Sequence, residues 1–376
     1  MRKETSEEKI KLRSGYTTGA CATATALAAA RLLLTGKSSL NMSILLPRGQ
    51  HVEFKLTNCR LLDTNSARAD TIKDAGDDPD ATHGATVFSV VELSDLPGVR
   101  FHAGEGVGTV TRTGLSIGIG EPAINPVPRK MISEHLQETA NEQMFKGGFE
   151  VSVGVENGEN IALRTMNGRL GILGGLSILG TTGIVRPYSC AAYIASIHQS
   201  IDVASANDIT HIAAATGSTS ESFVQNQLGM PEIAVVEMGD FAGAVLKHLR
   251  KVPMDKLTIC GGFGKISKLA SGHQSLHSKD ASIDFGFLMQ QAAELGGNKN
   301  LLEQIASSNT SLEALQQCQQ HDIPLAHRLC ELARKHALAV CHNSCDIEVY
   351  AIGKDGVCVG STEPPPTDNS TDQSIT

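Results

Sequence analysis

The chain has 376 residues, of which 41% are hydrophobic, 19% are charged and 4% are aromatic. That length suits two globular domains, and the net charge of −8 argues against nonspecific binding to nucleic acid or to an anionic membrane. Tryptophan is absent and glycine reaches 37 residues, a composition that favours pockets lined by backbone over the stacking of bases. Nine unpatterned cysteines and the lack of an apolar run of about 18 residues predict a cytoplasmic protein with reduced thiols.

The first half of the chain alternates extended segments with two helices. Composition predicts an alanine-rich helix over Ala20–Leu34, ended near Gly36, and a second helix over about Val127–Met144. Apolar patterns predict strands at Met42–Leu46, His51–Leu61, Ala67–Ile72, Ala85–Leu93 and Phe149–Val155, the last forming a hairpin with Ile161–Arg164 around Asn157-Gly158.

Beyond about Pro187 the pattern changes to alternating strands and helices. Short apolar strands at Ile209–Ala215, Ile233–Glu237 and Lys256–Cys260 are followed by helical segments at Glu221–Leu228, Phe241–Arg250 and Ile266–Ser271, which indicates βαβ units and a parallel sheet. Helices are predicted for much of Ser282–Leu338, and a final hairpin for Ile347–Val359. The predicted fold is therefore α/β and α+β in two domains: residues 1–186 form an α+β domain, 187–360 a Rossmann-like cofactor-binding domain, and 361–376 a disordered tail.

Three Thr-Gly turns each precede a predicted helix. They are Thr17-Thr18-Gly19, Thr181-Thr182-Gly183 and Thr216-Gly217-Ser218. Glycine lets a ligand approach the backbone, threonine hydroxyls donate, and the first N–H groups of a helix attract anions. The turns therefore predict binding of a ligand rich in carboxylate or phosphate, with ordinary helix capping as the alternative.

The ends of the predicted parallel strands carry further candidates. Ligands bind at the carboxyl ends of parallel strands, which here place Glu237, Gly239 and Asp240 after the second strand and Gly261 and Gly264 after the third. Glu237 closes its strand, where nucleotide-binding folds often hold ribose hydroxyls. The three-glycine dinucleotide fingerprint and the phosphate loop are absent, so tight turns remain the alternative for these glycines.

Three polar segments resemble metal sites in part. The loop Asp74–His83 offers four carboxylates and an imidazole, but its spacing fits no EF-hand. His273 and His277 lie four residues apart without the glutamate of the zinc proteases, and the cysteines and histidines of 330–345 lack a second ligand pair at zinc spacing. No protein-bound metal is predicted.

Taken together, these motifs resemble the CbiD family. The resemblance spans about residues 12–360 and is carried, in order, by 15–21 (GYTTGAC), 73–80 (KDAGDDPD), 82–84 (THG), 121–129 (EPAINPVPR), 178–183 (ILGTTG), 238–240 (MGD) and 264–265 (GK). It implies methyl transfer from S-adenosylmethionine to C-1 of cobalt-precorrin-5B, giving cobalt-precorrin-6A in cobalamin biosynthesis. It also implies an amino-terminal domain like ribosomal S5 domain 2, and it leaves a homo-oligomer open.

The resemblance assigns roles to the candidate residues. The substrate is a cobalt-containing macrocycle fringed with carboxylates, which separate donors would hold around a broad cleft between the domains. His83 and His277 are the candidate catalytic bases, with hydrogen bonding to a carboxylate as the alternative role. The substrate-binding candidates are Thr17, Thr18, Gly19, Asp78, Arg112, Asn125, Arg129, Thr181, Thr182 and Lys265. The candidates for S-adenosylmethionine are Thr216, Gly217, Ser218, Glu237, Gly239, Asp240, Gly261 and Gly264.

Two rival functions remain open on the sequence. Threonine-rich helix starts and an S5-like domain also occur in the GHMP small-molecule kinases, although the turn at Thr17-Thr18-Gly19 is too short for their phosphate loop. A tetrapyrrole carrier would bind the same macrocycle without methylating it. Neither rival needs nucleic acid or a membrane as partner.

Overall fold

The computed structural model describes residues 12–363, and the chain divides after Cys190 into two compact units. Both units combine helices with a sheet, so the expected mixed α/β architecture in two parts is confirmed. Most of the predicted tail, from residue 364 onward, lies outside the described residues. Ser361, with which that tail was predicted to begin, is buried in the last strand of the second unit.

The first unit is built around one six-stranded sheet with two long helices. Its strands are β1 (Gly15–Tyr16), β2 (Asn41–Leu45), β3 (His51–Leu61), β4 (Ser66–Ile72), β5 (Thr86–Ser94), β6 (Gly98–Ala103), β7 (Thr109–Val110), β8 (Gly148–Val155), β9 (Ile172–Leu173) and β10 (Ile184–Val185), and its helices are α1 (Thr18–Thr35), α2 (Pro126–Glu142) and α3 (Gly158–Ala162). The large sheet has the order β2-β3-β4-β5-β8-β6, and only the β6–β8 pair is parallel.

Helix α1 fills the core of this unit. Its residues from Thr18 to Ala30 are all buried, and its small side chains let it pack closely on β3, β4, β5 and α2. The Thr25 hydroxyl lies 2.8 Å from that of Ser89, and Gly36 ends the helix with φ of +69°. Within residues 12–363, α1 is the one helix long and apolar enough to cross a membrane by length and composition, and most of it is buried inside the unit.

The predicted hairpin around Asn157-Gly158 is wrong. Strand β8 pairs antiparallel with β5 on one side and parallel with β6 on the other, so no edge remains for Ile161–Arg164. The chain instead turns through Asn157, at φ of +56°, into the short helix α3. The sequence patterns also missed β6, because its place beside β8 depends on a long-range parallel pairing.

The second unit is a five-stranded sheet with helices between its strands. Its helices are α4 (Cys190–Ala206), α5 (Ser218–Asn226), α6 (Ala242–His248), α7 (Phe263–Ala270), α8 (Phe285–Glu294), α9 (Lys299–Ser307), α10 (Ser311–Gln320) and α11 (Leu325–Cys341), and its strands are β11 (His211–Ala215), β12 (Val235–Glu237), β13 (Lys256–Gly262), β14 (Asp346–Ile352) and β15 (Cys358–Ser361). The order is β12-β11-β13-β14-β15, with β15 antiparallel and the other four parallel. The predicted parallel sheet and final hairpin are confirmed.

Candidate functional site

Four sequence motifs of the first unit meet at the amino-terminal end of α1. We call this cluster the α1 site; it comprises residues 13–19, 73–84, 121–129 and 178–183. Ser14 forms a bridge with Gly76, and Ile124 forms one with Ile178. The contacts are close, because a Cβ added to Gly19 would lie 2.6 Å from the Pro128 side chain. The fold therefore brings together the segments that the sequence had marked separately.

The start of α1 is closed by the protein itself. The N–H of Gly19 donates to the Leu179 carbonyl (2.8 Å), and the N–H of Ala20 donates to the Thr17 hydroxyl (3.2 Å). The Thr18 hydroxyl accepts the N–H of Leu179 (2.9 Å). Thr17, Thr18 and Gly19 thus form a helix cap and a clamp on the neighbouring segment. These internal contacts compete with a ligand for the same groups, and direct anion binding by the turn stays a prediction.

The second Thr-Gly turn does not start a helix. The residues after it form β10, which pairs antiparallel with β1. Gly180 lies so close to Thr17 that an added Cβ would be 2.2 Å from the Thr17 hydroxyl oxygen. Thr182 bonds its own strand through Ile184, whereas the side chain of Thr181 is exposed. No helix forms because Gly180 packs against Thr17 before the turn and β10 pairs with β1 after it. The exposed hydroxyl of Thr181 is a donor that a ligand can reach.

A buried ion pair shapes the loop of residues 73–84. The Lys73 side chain is 1% exposed, and its Nζ lies 2.5 Å from Asp80 Oδ2. Burial raises the pKa of Asp80, but the charge and hydrogen bond of Lys73 outweigh it, so the net pKa is lowered. Asp80 also accepts the N–H of Thr82 (2.7 Å). The contacts of Asp80 with Lys73 and Thr82 therefore fix the loop conformation directly before His83.

The other carboxylates of this loop contact separate partners. Asp74 forms an ion pair with Arg13, whose hydrogen bond lowers the pKa of Asp74 to about 2. Asp77 accepts the backbone N–H of Arg13 (2.6 Å), and Asp78 accepts that of Tyr188 (2.9 Å). Across residues 12–363 the structure contains no group of three or more His, Cys, Asp or Glu side chains arranged for a metal ion.

The two predicted arginines differ in what they leave free. Arg129 donates from Nε to the Ile124 carbonyl (2.8 Å) and from Nη2 to the Pro122 carbonyl (3.0 Å), while Nη1 lies 2.9 Å from Glu121. All three nitrogens contact the loop that leads into α2, and the substrate-binding role of Arg129 stays a prediction. Arg112 is half-buried and donates from Nη1 to a backbone carbonyl (2.9 Å).

Asn125 precedes α2 and keeps its side chain available. Its backbone N–H donates to the Ile178 carbonyl (3.0 Å), and its side chain makes no cap hydrogen bond with the helix. Proline at the first helical position needs no such partner. Asn125 is therefore placed at the α1 site with its amide free of the capping role.

Both candidate bases have the same hydrogen-bonding pattern. In each ring Nδ1 accepts a backbone N–H at 3.1 Å, from Ala75 in His83 and from Lys279 in His277. A neutral imidazole that accepts at Nδ1 carries its proton on Nε2, so each ring presents a donor there. Both side chains are exposed. The geometry therefore favours hydrogen-bond donation over proton abstraction.

In the second unit, three turns follow the carboxyl ends of neighbouring parallel strands. We call this region the sheet-edge site; it comprises residues 215–220, 237–240 and 261–265. Ala215 of β11 pairs with Glu237 on one side and Cys260 on the other, so the turns lie side by side. Gly217 precedes α5, has an extended backbone, and has nothing within 4 Å of the position a Cβ would take. The fold itself does not require glycine there.

The remaining glycines of this edge have structural reasons. Gly239 has φ of +53°, and an added Cβ at Gly261 would lie 2.7 Å from the Thr216 methyl group. An added Cβ at Gly264 would lie 2.7 Å from the Ser311 hydroxyl. Gly262 was not predicted, yet it resembles Gly217 in having open space around it. Gly217 and Gly262 differ from Gly239, Gly261 and Gly264 in having open space and no φ in the left-handed region. The sequence does not reveal this difference, because it depends on the three-dimensional surroundings.

Glu237 is oriented by Tyr193, which the sequence analysis missed. The Tyr193 hydroxyl donates to Glu237 Oε1 (3.2 Å), and its ring packs against Phe241. Burial, followed by the charge of Glu237, raises the pKa of Tyr193, so the hydroxyl stays a donor. Tyr193 lies on α4, 44 residues before Glu237, and no local pattern links the two.

Asp240 and Lys265 were assigned to cofactor and substrate, but they form an ion pair with each other. Lys265 Nζ also contacts the Leu276 carbonyl at 3.2 Å. The two residues therefore lie together, while their assignment to separate ligands stays a prediction. Asp240 follows β12, and Lys265 lies in the first turn of α7 after β13; these two strands flank β11 on opposite sides.

These observations define a mixed α/β protein of two units, with one polar site at a helix start and another at the edge of a parallel sheet. The chain belongs to the CbiD family: the CbiD model matches residues 4–187, and the model of the CbiD C-terminal domain matches residues 275–363. The sheet-edge site falls between these two matches.

Curated relatives cover nearly the whole chain. A cobalt-precorrin-5B C(1)-methyltransferase from Burkholderia thailandensis is 60% identical over 96% of this chain and 99% of its own. One from Pseudomonas savastanoi pv. phaseolicola is 59% identical over 96% and 97%. The crystal structure of a cobalamin biosynthesis protein (cbiD) from Archaeoglobus fulgidus is 26% identical, covers 75% of this chain and 91% of its own, and has a TM-score of 0.39.

Proposed function

We propose that this protein transfers a methyl group from S-adenosylmethionine to C-1 of cobalt-precorrin-5B in cobalamin biosynthesis. The observation that carries the proposal is the identity of about 60% with proteins of that name along nearly the full length of both chains. The match extends over 96% of the chain and therefore includes both of its units. The two sites supply the chemistry that such a reaction needs.

The sheet-edge site fits a nucleoside. Glu237 closes the strand next to β11 and follows Gly217 by 20 residues, which is the spacing at which an acidic residue binds ribose hydroxyls in nucleotide-binding sheets. Gly217, between Thr216 and Ser218, and Gly262 both have nothing within 4 Å of the position a Cβ would take, so the backbone of these turns is open to a ligand. We assign ribose to Glu237, and the rest of the nucleoside to these open turns. When bound, S-adenosylmethionine supplies an electrophilic sulfonium methyl group.

The α1 site fits the rim of a carboxylated macrocycle. Thr181 is exposed, Asn125 has a side-chain amide without a capping role, and His83 presents an N–H at Nε2. These three residues provide separate donors for separate carboxylates, and Arg112, which lies outside the α1 site as defined, is a further candidate donor. Leu179 is 46% exposed beside them and offers an apolar contact to the flat ring. These residues bind and orient; the rate enhancement then comes from positioning of C-1 rather than from a protein base.

The finer fold assignments belong to the same proposal. Numbered by their order along the chain, the parallel strands β12-β11-β13-β14 have the sheet order 2-1-3-4, which is an order of doubly wound sheets. Such sheets bind ligands where the order reverses, which here is between β11 and β13. On that basis we assign a Rossmann-like fold to the second unit; the S5-domain-2-like fold of the first unit stays a prediction from the family resemblance. The nine free cysteines agree with the proposed cytoplasmic location.

A single-turnover assay with labelled S-adenosylmethionine and cobalt-precorrin-5B tests the proposal. Label in the macrocycle is expected. Tight binding of the precorrin without transfer of label would instead identify a carrier, and stabilisation by ATP with a phosphorylated product would identify a kinase. Calorimetry with S-adenosylhomocysteine tests the cofactor separately, because the folded protein should bind it with or without precorrin.

A further inference from the structure

Helix α7 places two lysines one turn apart over the same backbone carbonyl. Lys265 Nζ lies 3.2 Å from the Leu276 oxygen, and Lys268 Nζ lies 3.0 Å from it. Lys268 is 7% exposed, and Leu276 is fully buried. The loop that follows α7 therefore folds back over the helix, burying most of Lys268 while the Lys265 side chain stays 34% exposed.

The charges of this cluster do not balance. Asp240 is paired with Lys265, but Lys268 has the Leu276 carbonyl as its one hydrogen-bond acceptor within residues 12–363. An ammonium group has three N–H donors, and two of those of Lys268 are left over. A buried charge without a counter-ion is costly, so proteins pair it or neutralise it.

The surroundings of Lys268 disfavour its charged form. Burial, followed by the neighbouring ammonium of Lys265, lowers the pKa of Lys268 below 10.5, and the carboxylate of Asp240 offsets this only in part. An arriving anion would relieve both effects. The cluster also lies beside Asp240 and the turn after β13, within reach of the sheet-edge site.

We infer that Lys268, together with Lys265, is the seat for one carboxylate of the reacting ligands. This inference rests on the proposed function, which supplies two sources of that chemistry. The carboxylate belongs either to the amino-acid part of the methyl donor or to an acetate or propionate arm of the macrocycle. Lys268 is then a binding residue that fixes the position of its ligand, with no part in the methyl transfer itself.

Calorimetry on Lys268→Met distinguishes the two sources. If the donor supplies the carboxylate, S-adenosylhomocysteine should bind about tenfold or more weakly, the usual effect of losing a charged hydrogen bond, whereas 5′-methylthioadenosine, which lacks the amino-acid part, should bind as before. If the macrocycle supplies it, both nucleosides should bind normally and the KM for cobalt-precorrin-5B should rise. Lys247→Met, an exposed lysine on α6, is the matched control and should change neither.

Two further measurements keep the inference testable whatever becomes of the proposed function. Acetate at constant ionic strength should raise the Tm of the wild-type protein more than that of Lys268→Met, and this holds even if the wild type neither binds S-adenosylhomocysteine nor methylates. If Lys268→Met does not fold, Lys268→Arg should retain ligand binding at alkaline pH, where the wild type weakens as its lysine loses the proton. Equal acetate effects with unchanged affinities, or identical alkaline profiles for wild type and Lys268→Arg, would overturn the inference.

Discussion

The buried pair of Lys73 and Asp80 allows a quantitative test of what holds the α1 site together. Lys73→Met keeps most of the volume of a side chain that is 1% exposed, but it leaves Asp80, 24% exposed, without its cation. Removing one partner of a buried pair costs about 3–5 kcal/mol. Because Asp80 is partly solvated and keeps its hydrogen bonds to Thr82, we expect the low end, about 3 kcal/mol.

Denaturant and thermal unfolding measure this loss. For a unit of this size about 3 kcal/mol corresponds to a fall in Tm of roughly 6–12 °C. Lys299→Met is the matched control, since Lys299 is 92% exposed in its pair with Glu303, and its change should stay within about 0.5 kcal/mol. The double variant Lys73→Met with Asp80→Asn should recover part of the loss because no buried charge is left unpaired. A Lys73→Met protein as stable as the wild type would refute this account of the loop.

Three other predictions follow from the same contacts. Gly19→Ala should destabilise the protein by about 1–3 kcal/mol in a denaturation series, since its Cβ would meet Pro128 at 2.6 Å; unchanged stability would show that the helix start is looser than described. Tyr193→Phe should weaken the binding of S-adenosylhomocysteine about fivefold, because Glu237 loses its orienting donor, and should leave the binding of the 2′-deoxy analogue unchanged. Equal loss of affinity for both ligands would point to a merely structural role. Asp74, with its pKa lowered from 3.8 to about 2, contributes stability above pH 3.8 that is lost as the pH falls toward 2, so Asp74→Asn should flatten that part of the stability–pH curve; an unchanged curve would exclude the ion pair as its source.

Local sequence determined most elements of the fold. Alternating apolar residues located β2–β5 to within a residue or two, and the alanine run with its closing Gly36 located α1. The alternation of strands and helices predicted the parallel sheet of the second unit. These features follow from periodicity and capping, which are properties of neighbouring residues. The family was recognised differently, from the resemblance of the ordered motifs to those of CbiD proteins.

Only the tertiary structure decided what each polar residue does. The Thr17-Thr18-Gly19 turn has the sequence of an anion-binding turn. In the structure, however, the N–H of Gly19 donates to the carbonyl of Leu179, which lies 160 residues further along the chain. Arg129 lies in a motif that predicts a substrate ligand, but two carbonyls and the Glu121 carboxylate of its own loop contact its three nitrogens. Hydrogen-bond donors and charges are satisfied by whichever partner the folded chain brings within about 3 Å. That choice depends on contacts between distant segments, so the sequence alone identified the groups capable of chemistry, and the fold determined which of them remain available for it.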